Sequence, residues 1–311
     1  MGRLAAVAAA VLLGAAGGGL YLTVLLGSPG ALILVYLTQL PLFAAGLWLG
    51  AGAAVIAGAT AAAMLLAASD FMAAAVFAVI NAVPVALLVR QALLARQQPD
   101  GSAAWYPPGL LTAWLTALAL AGIAGAAFVF GGPAQLHASL ATIVGHALGR
   151  LSYRGGADQA EIADALALVI PGIVAASWMV MAVINAALAQ GVLARFKVNW
   201  RPSPDLAALD LPMWIPLALA VAAALTLFGD VGRFFGVNAI VALTVPFCLA
   251  GLAVLHAVAR RLSNPRIALV VFYVLAGLFG WPLLAATALG LVEPWLGLRR
   301  RLAPLKGNSH G

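Results

Sequence analysis

An all-α fold, a polytopic bundle of transmembrane helices, is predicted by the composition and by the spacing of charge along the chain. Of the 311 residues, 65% are hydrophobic and 8% are charged, whereas soluble domains carry charge at roughly a quarter of their positions. No Asp, Glu, Lys or Arg lies between Arg3 and Asp70. A run of that length finds a uniform solvent only in the hydrocarbon of a bilayer, where helices satisfy their own backbone groups.

About eight full crossings are predicted, because each crossing helix needs roughly 20 apolar residues. Pro and Gly residues punctuate the apolar runs and indicate where helices end. The predicted crossings cover residues 4–27, 31–49, 51–68, 71–94, 109–131, 166–194, 212–228 and 236–258.

The last apolar stretch, residues 267–298, fits either one long tilted helix or a short hairpin that turns at Gly280-Trp281-Pro282. Basic residues concentrate on the cytoplasmic side of membrane proteins. With the hairpin the number of crossings is even, and 13 of the 16 Lys and Arg residues fall on one side. We therefore predict the hairpin and a single integral membrane domain, residues 1–311, in the bacterial cytoplasmic (inner) membrane. Both termini are expected in the cytoplasm, with 299–311 as a tail.

Residues 133–164 differ from the rest, because charged side chains and two histidines alternate there with leucines at near-helical spacing. This pattern is typical of an amphipathic helix lying at the membrane interface. We expect it on the outer face, broken at Gly155-Gly156, with a second short helix leading into the next crossing. His137 and His146 are nine residues apart, which puts them on opposite sides of a straight helix, so no metal site is predicted.

The sequence contains no motif for catalysis, for a cofactor or for a metal cluster. Its one cysteine, Cys248, excludes a disulfide within the chain. The net charge is +7, but the basic residues are scattered at helix ends, which argues against a nucleic-acid partner. We therefore expect a protein that is not an enzyme, with no catalytic residue and no cofactor.

Polar side chains deep within crossings are costly and are therefore candidates for function. Asn81 and Asn185 each lie in the pentapeptide Ala-Val-Ile-Asn-Ala, and Gln190 follows on the second of these helices. All three are candidate ligand-binding residues; for the two asparagines, hydrogen bonding between helices is the favoured explanation, and ligand binding and chance placement are the alternatives. Pro84 is expected to kink the helix just after Asn81 and to free a backbone carbonyl. Glu293 is expected to pair with a nearby arginine at the interface.

Two pairs of glycines stand four residues apart, Gly14 with Gly18 and Gly46 with Gly50. Small residues at this spacing let two helices approach closely in a membrane. All four are therefore predicted to lie at helix-packing contacts. For the second pair, a glycine-rich turn at Gly50-Ala51-Gly52 is the alternative.

Five stretches of the chain resemble the YybS-like family of bacterial integral membrane proteins, which carry a domain of unknown function. The resemblance covers most of the chain, and none of its motifs is chemically diagnostic. It implies no activity, cofactor or catalytic residue. The stretches are LPLFAAGLWLG (40–50), the helix that begins AVINA (182–195), RPSPDL (201–206), LAVLH (252–256) and residues 290–301.

Residues 41–46, followed by Gly50 and Gly58, are also similar to the early helices of the substrate-binding subunits of energy-coupling-factor vitamin transporters. This likeness implies binding of a small molecule from the outer side and docking on a partner membrane subunit. The chain departs from these subunits in having more crossings and no recognisable vitamin-binding loop.

These observations lead to two expectations of different kinds. The first is a small-solute-binding transporter subunit, with its site under residues 133–164 and near Asn81 and Asn185. The second is a non-catalytic structural or assembly factor of the cell envelope that binds another membrane protein. A membrane-embedded enzyme acting on a lipid ranks third. The expected partners are the lipid bilayer and either a small solute or a membrane protein.

Overall fold

The fold of the chain is all-α, as the composition predicts. A computed structural model describes residues 2–25, 27, 30–151 and 157–301. The helices are α1 (Arg3–Leu25), α2 (Ala31–Tyr36), α3 (Gln39–Leu49), α4 (Ala51–Ala68), α5 (Phe71–Phe77), α6 (Val83–Ala92), α7 (Pro108–Val129), α8 (Pro133–Leu151), α9 (Ala157–Arg195), α10 (Trp214–Leu225), α11 (Gly229–Ala259), α12 (Pro265–Phe279), α13 (Trp281–Leu296) and α14 (Leu298–Arg301). A π-helical turn (Ala78–Ala82) joins α5 to α6, and a 3₁₀ turn covers Leu206–Ala208.

Seven helical segments of the described chain are long and apolar enough to cross a membrane, and a bent helix pair raises the number to eight if it counts as one span. The spans Ala31–Leu49 and Ala51–Ala68 have the predicted bounds. The other five are Arg3–Val24, Phe71–Ala92, Pro108–Val129, Gln159–Arg195 and Gly229–Ala259.

The predicted crossing 212–228 is wrong in its length, because α10 has only 12 residues and a crossing needs roughly 20. Residues 230–233, which lie between the predicted crossings 212–228 and 236–258, form the start of α11. Gly229 takes a positive φ of 60° and turns the chain just before them. Asp230 then lies in the first helical turn, where a carboxylate is favoured by the helix dipole.

The segment 133–164 is divided between two helices. Among residues 133–150 of α8, Leu136 is the one buried residue, as expected of an amphipathic helix with little cover from the rest of the chain. The predicted second short helix is instead the beginning of α9, which has 39 residues. The predicted break at Gly155-Gly156 lies outside the described residues.

Helix α9 continues through Pro171, and a buried asparagine of α11 supports it there. The Asn238 side-chain oxygen accepts from the Gly172 N–H at 2.6 Å, and its amide nitrogen donates to the Leu168 carbonyl at 2.9 Å. One side chain thus bonds two backbone groups a helical turn apart, on either side of the residue that cannot donate.

The C-terminal apolar stretch forms two short helices, as the hairpin prediction requires. Helices α12 and α13 meet at Gly280 with a bend of 115°. Gly280 has a φ of +72°, a conformation that glycine adopts without a steric penalty. Pro282, near the start of α13, has no N–H to continue the preceding helix.

The first polar loop contains a β-hairpin that was not predicted. Strand β1 (Ala95–Gln97) pairs antiparallel with β2 (Ala103–Trp105), with Ala95 opposite Trp105. Asp100 closes the turn, because its carboxylate accepts from the Ser102 N–H at 2.9 Å and from the Ser102 hydroxyl at 2.6 Å. These hydrogen bonds hold the pKa of Asp100 below its usual value.

The described residues group into two compact units. The first comprises residues 1–107 and 177–204, and the second comprises 108–176 and 205–311, so that α9 contributes to both. The prediction of one membrane domain stays a prediction. The core of the second unit consists of apolar side chains from α7, α10, α11 and the segment before α10: Ala113, Leu209, Leu211, Ile215, Ala222, Leu243, Phe247, Ala250 and Ala253.

Three of the four predicted packing glycines lie where helices of the first unit approach closely. A Cβ on Gly14 would lie 2.8 Å from the Ala57 Cα, and one on Gly18 would lie 3.2 Å from the Ala61 Cα. Gly46 leaves similar room for the side chains of α6 and α4. Gly50 instead ends α3 with a φ of 101°, which is the turn alternative.

Candidate functional site

The second span is interrupted at its middle. Helix α2 ends at Tyr36 and α3 begins at Gln39, two residues before Pro41. Pro41 has no N–H to offer the Leu37 carbonyl, and that carbonyl accepts from the Leu40 N–H at 3.0 Å instead. Leu40 would be the donor to Tyr36 in a regular helix, so the Tyr36 carbonyl becomes open to a side chain.

The fourth span has a corresponding distortion around Asn81. Residues Ala78–Ala82 form the π-helical turn, and Pro84 follows directly. Since Pro84 cannot donate to the Ile80 carbonyl, that oxygen accepts instead from the Trp178 indole N–H at 2.9 Å. The carbonyl predicted to be freed by Pro84 is confirmed, and the predicted kink stays a prediction.

Side chains of α9 donate hydrogen bonds to freed carbonyls in both interrupted spans. Besides Trp178, Asn185 donates from its amide nitrogen to the Tyr36 carbonyl at 2.6 Å and to the Met181 carbonyl at 2.7 Å. The Tyr36 hydroxyl and the Ser177 hydroxyl are 2.6 Å apart. Both N–H groups of the Asn185 amide are thereby used, which leaves its oxygen as an acceptor.

Four polar side chains, here called the amide cluster, are buried around these interruptions. Thr38, Gln39, Asn81 and Asn185 are exposed by 0%, 0%, 5% and 1% respectively. The Gln39 amide nitrogen donates to the Asn81 oxygen at 3.2 Å.

Three oxygen atoms of the amide cluster have no hydrogen-bond partner within the described part of the chain. They are Thr38 Oγ1, Gln39 Oε1 and Asn185 Oδ1. A buried polar atom left unpaired costs about 1–3 kcal/mol. The cluster therefore presents three buried oxygens that a donor or a cation would stabilise.

The three predicted ligand-binding residues do not all contact the same part of the structure. Asn81 and Asn185 both contact the interrupted helix, one at Gln39 and one at Tyr36. Gln190 instead donates to the Arg201 carbonyl at 2.7 Å, so its contact lies with the loop after α9. Ligand binding by any of the three stays a prediction.

Sequence reasoning missed Thr38 and Gln39, although a signal was present. Two adjacent polar residues stand in the middle of an uncharged span, directly ahead of Pro41. A proline inside a crossing frees backbone groups that then need polar partners. The expected outer segment 133–164 belongs to the second unit and the amide cluster to the first, so the expected position of the site stays a prediction.

Arg201 lies buried in the first unit, although it belongs to the loop that follows α9. Its side chain is 5% exposed and donates to the Ala92 carbonyl at 2.9 Å and to the Tyr106 carbonyl at 2.8 Å. Ala92 ends α6, where the helix dipole favours a cation. Burial lowers the pKa of Arg201, but a guanidinium remains charged at neutral pH.

The second unit contains a cleft built around Arg299. Arg299 Nε donates to Glu293 Oε1 at 2.8 Å, which confirms the expected pairing of Glu293 with a nearby arginine. Its other nitrogens donate to Asp210 Oδ1 at 3.3 Å, to the Ala207 carbonyl at 3.2 Å and to the Leu209 carbonyl. The cleft has a volume of about 400 Å³ and is lined by Asp210, Leu211, Met213, Glu293, Pro294, Gly297 and Arg299.

An exposed ion pair of the second unit joins Asp205 to Arg260. The two Arg260 nitrogens donate to the two Asp205 oxygens at 2.6 and 3.2 Å. These bonds, with the Ala207 N–H, hold the pKa of Asp205 below its ordinary value of 3.8. The stabilisation is complete above the pKa of the unfolded state and is lost as the pH falls through the folded pKa.

We therefore expect Asp205→Asn to lower the apparent melting temperature slightly at neutral pH and not at strongly acidic pH. The effect is small because exposed ion pairs contribute little. Thermal unfolding in detergent across that pH range measures it, with Glu161→Gln, at an exposed position of α9, as control. Equal melting temperatures of Asp205→Asn and the wild type at neutral pH would contradict the prediction.

The histidines do not gather into a metal site. His137 Nε2 lies 3.1 Å from the Asp164 carbonyl and 3.5 Å from a carboxylate oxygen of the same residue. In the ranges that the structure describes, no three His, Cys, Asp or Glu side chains are close enough together to hold a metal ion.

The interrupted apolar helices and the polar groups buried among them define a polytopic α-helical membrane protein. Over residues 20–293 the sequence matches a family described as predicted membrane protein (DUF2232). The match covers most of the chain, and the chain belongs to that family. No curated protein and no solved structure matches it.

Proposed function

We propose that this protein is a non-enzymatic component of the bacterial inner membrane that binds a small polar solute, in the manner of a transporter subunit. The observation that carries the proposal is the amide cluster with its three unpartnered oxygens, Thr38 Oγ1, Gln39 Oε1 and Asn185 Oδ1. They lie beside two interrupted spans, and transporters commonly build solute and ion sites from interrupted helices.

The chemistry of the cluster favours an occupant rich in hydrogen-bond donors. The Gln39 and Asn185 oxygens can only accept, and the Thr38 hydroxyl can also accept. A solute bearing N–H or O–H groups would complement all three. Apolar side chains at these positions would avoid the cost of three unpaired polar atoms, so packing alone does not account for them.

The likeness of residues 41–58 to the substrate-binding subunits of energy-coupling-factor transporters supports the same proposal. So does the wider resemblance to the YybS-like family, whose members are membrane proteins without an assigned chemistry. The chain would need a coupling ion or a partner ATPase for active transport.

The alternative is an assembly factor that binds another membrane protein through its small-residue contacts. Gly14, Gly18 and Gly46 are buried against helices of their own unit. Gly50 is buried as well, beside the Trp200 ring. These glycines already pack against their own unit and are not free to contact a partner protein. This favours solute binding over a role in which the glycines dock another membrane protein.

The enzyme alternative depends on the carboxylates that converge in the cleft of the second unit. Both Glu293 and Asp210 are engaged by Arg299. The lining residues include no histidine, cysteine or hydroxyl side chain that could act as a nucleophile or shuttle a proton. This arrangement suits binding better than catalysis.

Native mass spectrometry of the protein, purified gently from its own membrane, tests the solute-binding proposal. We expect a bound small molecule on the wild type that is lost in Thr38→Val and Asn185→Leu. Thr60→Val is the matched control, because it removes a hydroxyl from α4 that only bonds its own helix, at Ile56. It should keep the bound mass.

Thermal unfolding of the solute-free protein separates binding from folding. Thr38→Val removes an unpartnered buried hydroxyl and should leave the empty protein as stable or slightly more stable. A wild type that carries no bound molecule, or an adduct that persists in both Thr38→Val and Asn185→Leu, would contradict the proposal. A co-purifying membrane protein in place of a small molecule would favour the assembly factor.

A further inference from the structure

We propose that the cleft around Arg299 in the second unit binds a primary ammonium group. This site is separate from the amide cluster, and the argument for it does not rest on the proposed function. It begins with Glu293, which is 5% exposed and whose Oε2 has no hydrogen-bond partner within the described residues.

Only one oxygen of the Glu293 carboxylate is satisfied. Oε1 accepts from Arg299 Nε at 2.8 Å and from the Arg299 backbone N–H at 3.3 Å. Oε2 belongs to the same residue that lines the cleft. A buried carboxylate oxygen without a donor is costly, and a positively charged N–H donor forms the strongest hydrogen bond with it.

Arg299 does not supply the missing donor; its three side-chain nitrogens are directed at four other acceptor atoms. Besides Glu293 it donates to the Asp210 carboxylate and to the carbonyls of Ala207 and Leu209. The charged residues that line the cleft are two carboxylates and one guanidinium. Their formal sum is one negative charge, which a single ammonium group would neutralise.

The remaining lining selects a small amphipathic occupant. Leu211, Met213 and Pro294 form an apolar part of the lining, and the volume of about 400 Å³ exceeds that of a bare ion and suits a small organic molecule. Met213 is 67% exposed, so the opening has an apolar edge. An ammonium on a short carbon chain fits these features, and it can come from a free amine or from the headgroup of an ethanolamine lipid.

A titration with ethanolamine tests the free-amine source. The full-length protein in an uncharged detergent is titrated with ethanolamine and with choline, followed by ligand-observed NMR. Choline carries the same charge without an N–H donor, so we expect it to bind about tenfold more weakly, the equivalent of one charge-assisted hydrogen bond. This comparison needs no variant and therefore does not depend on how a mutant folds.

The variant Glu293→Gln keeps the shape and an acceptor for Arg299, but it turns the free oxygen into an N–H donor. We expect it to weaken ethanolamine binding by about tenfold or more. The exposed Asp230→Asn, which removes one negative charge from the same unit, is the matched control and should bind as the wild type does.

Native mass spectrometry from nanodiscs containing equal amounts of phosphatidylethanolamine and phosphatidylcholine tests the lipid source. Preferential retention of phosphatidylethanolamine that Glu293→Gln abolishes would assign the cleft to a lipid headgroup. Ethanolamine binding without lipid preference would assign it to a free amine. The proposal is overturned if neither probe is bound selectively, or if Glu293→Gln binds ethanolamine and retains lipid as the wild type does.

Discussion

Replacing Gly290 by alanine should lower the free energy of unfolding by about 3 kcal/mol. Gly290 lies on α13, where that helix crosses α11. A Cβ at this position would lie 2.6 Å from the Gly251 nitrogen and 2.7 Å from the Phe247 carbonyl carbon. Both neighbours are backbone atoms, so the clash can be relieved only by moving one helix away from the other.

The contact continues along both helices, with higher residue numbers on α11 facing lower residue numbers on α13. Gly251 of α11 faces Ala286 of α13 at a similarly close approach, with 2.5 Å from a Cβ on Gly251 to the Ala286 carbonyl carbon. Gly251 on α11, and Ala286 and Gly290 four residues apart on α13, make this approach possible, since lipid provides no hydrophobic force to bring helices together. Separating α11 from α13 therefore loses dispersion contacts along the whole pair.

Thermal and denaturant unfolding in detergent, followed by tryptophan fluorescence, measures the effect. Gly122→Ala is the control, because Gly122 lies within α7 and nothing is within 4 Å of an added Cβ. There the substitution should be neutral or stabilise by about 0.5–1 kcal/mol, since alanine favours helix more than glycine does. If Gly290→Ala were as stable as Gly122→Ala, the close packing of α11 against α13 would be contradicted.

Replacing Arg201 by methionine should cost about 3 kcal/mol, because two hydrogen bonds from a charged donor are lost. Methionine keeps much of the buried aliphatic volume, so the loss of stability measures the contribution of the guanidinium group. The carbonyls of Ala92 and Tyr106 would lose the donor that joins the end of α6 to the segment following β2. We expect this loop region to open first, before the helices separate.

Arg201→Lys separates charge from geometry, because lysine keeps the charge but lacks the planar fork that reaches two carbonyls. We expect its stability to lie between that of the wild type and that of the methionine variant. Arg195→Met is the control, since Arg195 is exposed at the end of α9. Hydrogen exchange of residues 93–107, faster in Arg201→Met alone, measures the local effect, and unchanged exchange would contradict the prediction.

The class of the protein and most of its spans could be predicted because hydropathy depends on composition within a local window. The span Ala51–Ala68 was predicted with its observed bounds, and the turn at Gly280 was predicted from Gly and Pro. The crossing 212–228 was predicted too long, because the residues that flank α10 are as apolar as a crossing, although they do not continue the helix.

The candidate site could be predicted in part. Asn81 and Asn185 were identified because an amide inside a crossing is costly wherever it points. Their relation to Thr38 and Gln39 was not predictable, because it depends on which helices pack together. The hydrogen bonds of Asn238 and Arg201 could likewise not be predicted from the sequence, since each side chain bonds backbone groups that are distant in sequence.

The amino-acid sequence by itself determined that this chain is an α-helical membrane protein, because an uncharged run with internally satisfied backbone has only one suitable solvent. It also determined where prolines interrupt that backbone, as at Pro41 and Pro84. Only the tertiary structure decided which side chains donate hydrogen bonds to the freed carbonyls and which side-chain oxygens remain without a donor. Hydrogen bonds between distant segments depend on distances and directions in space, and neither hydropathy nor local spacing contains that information.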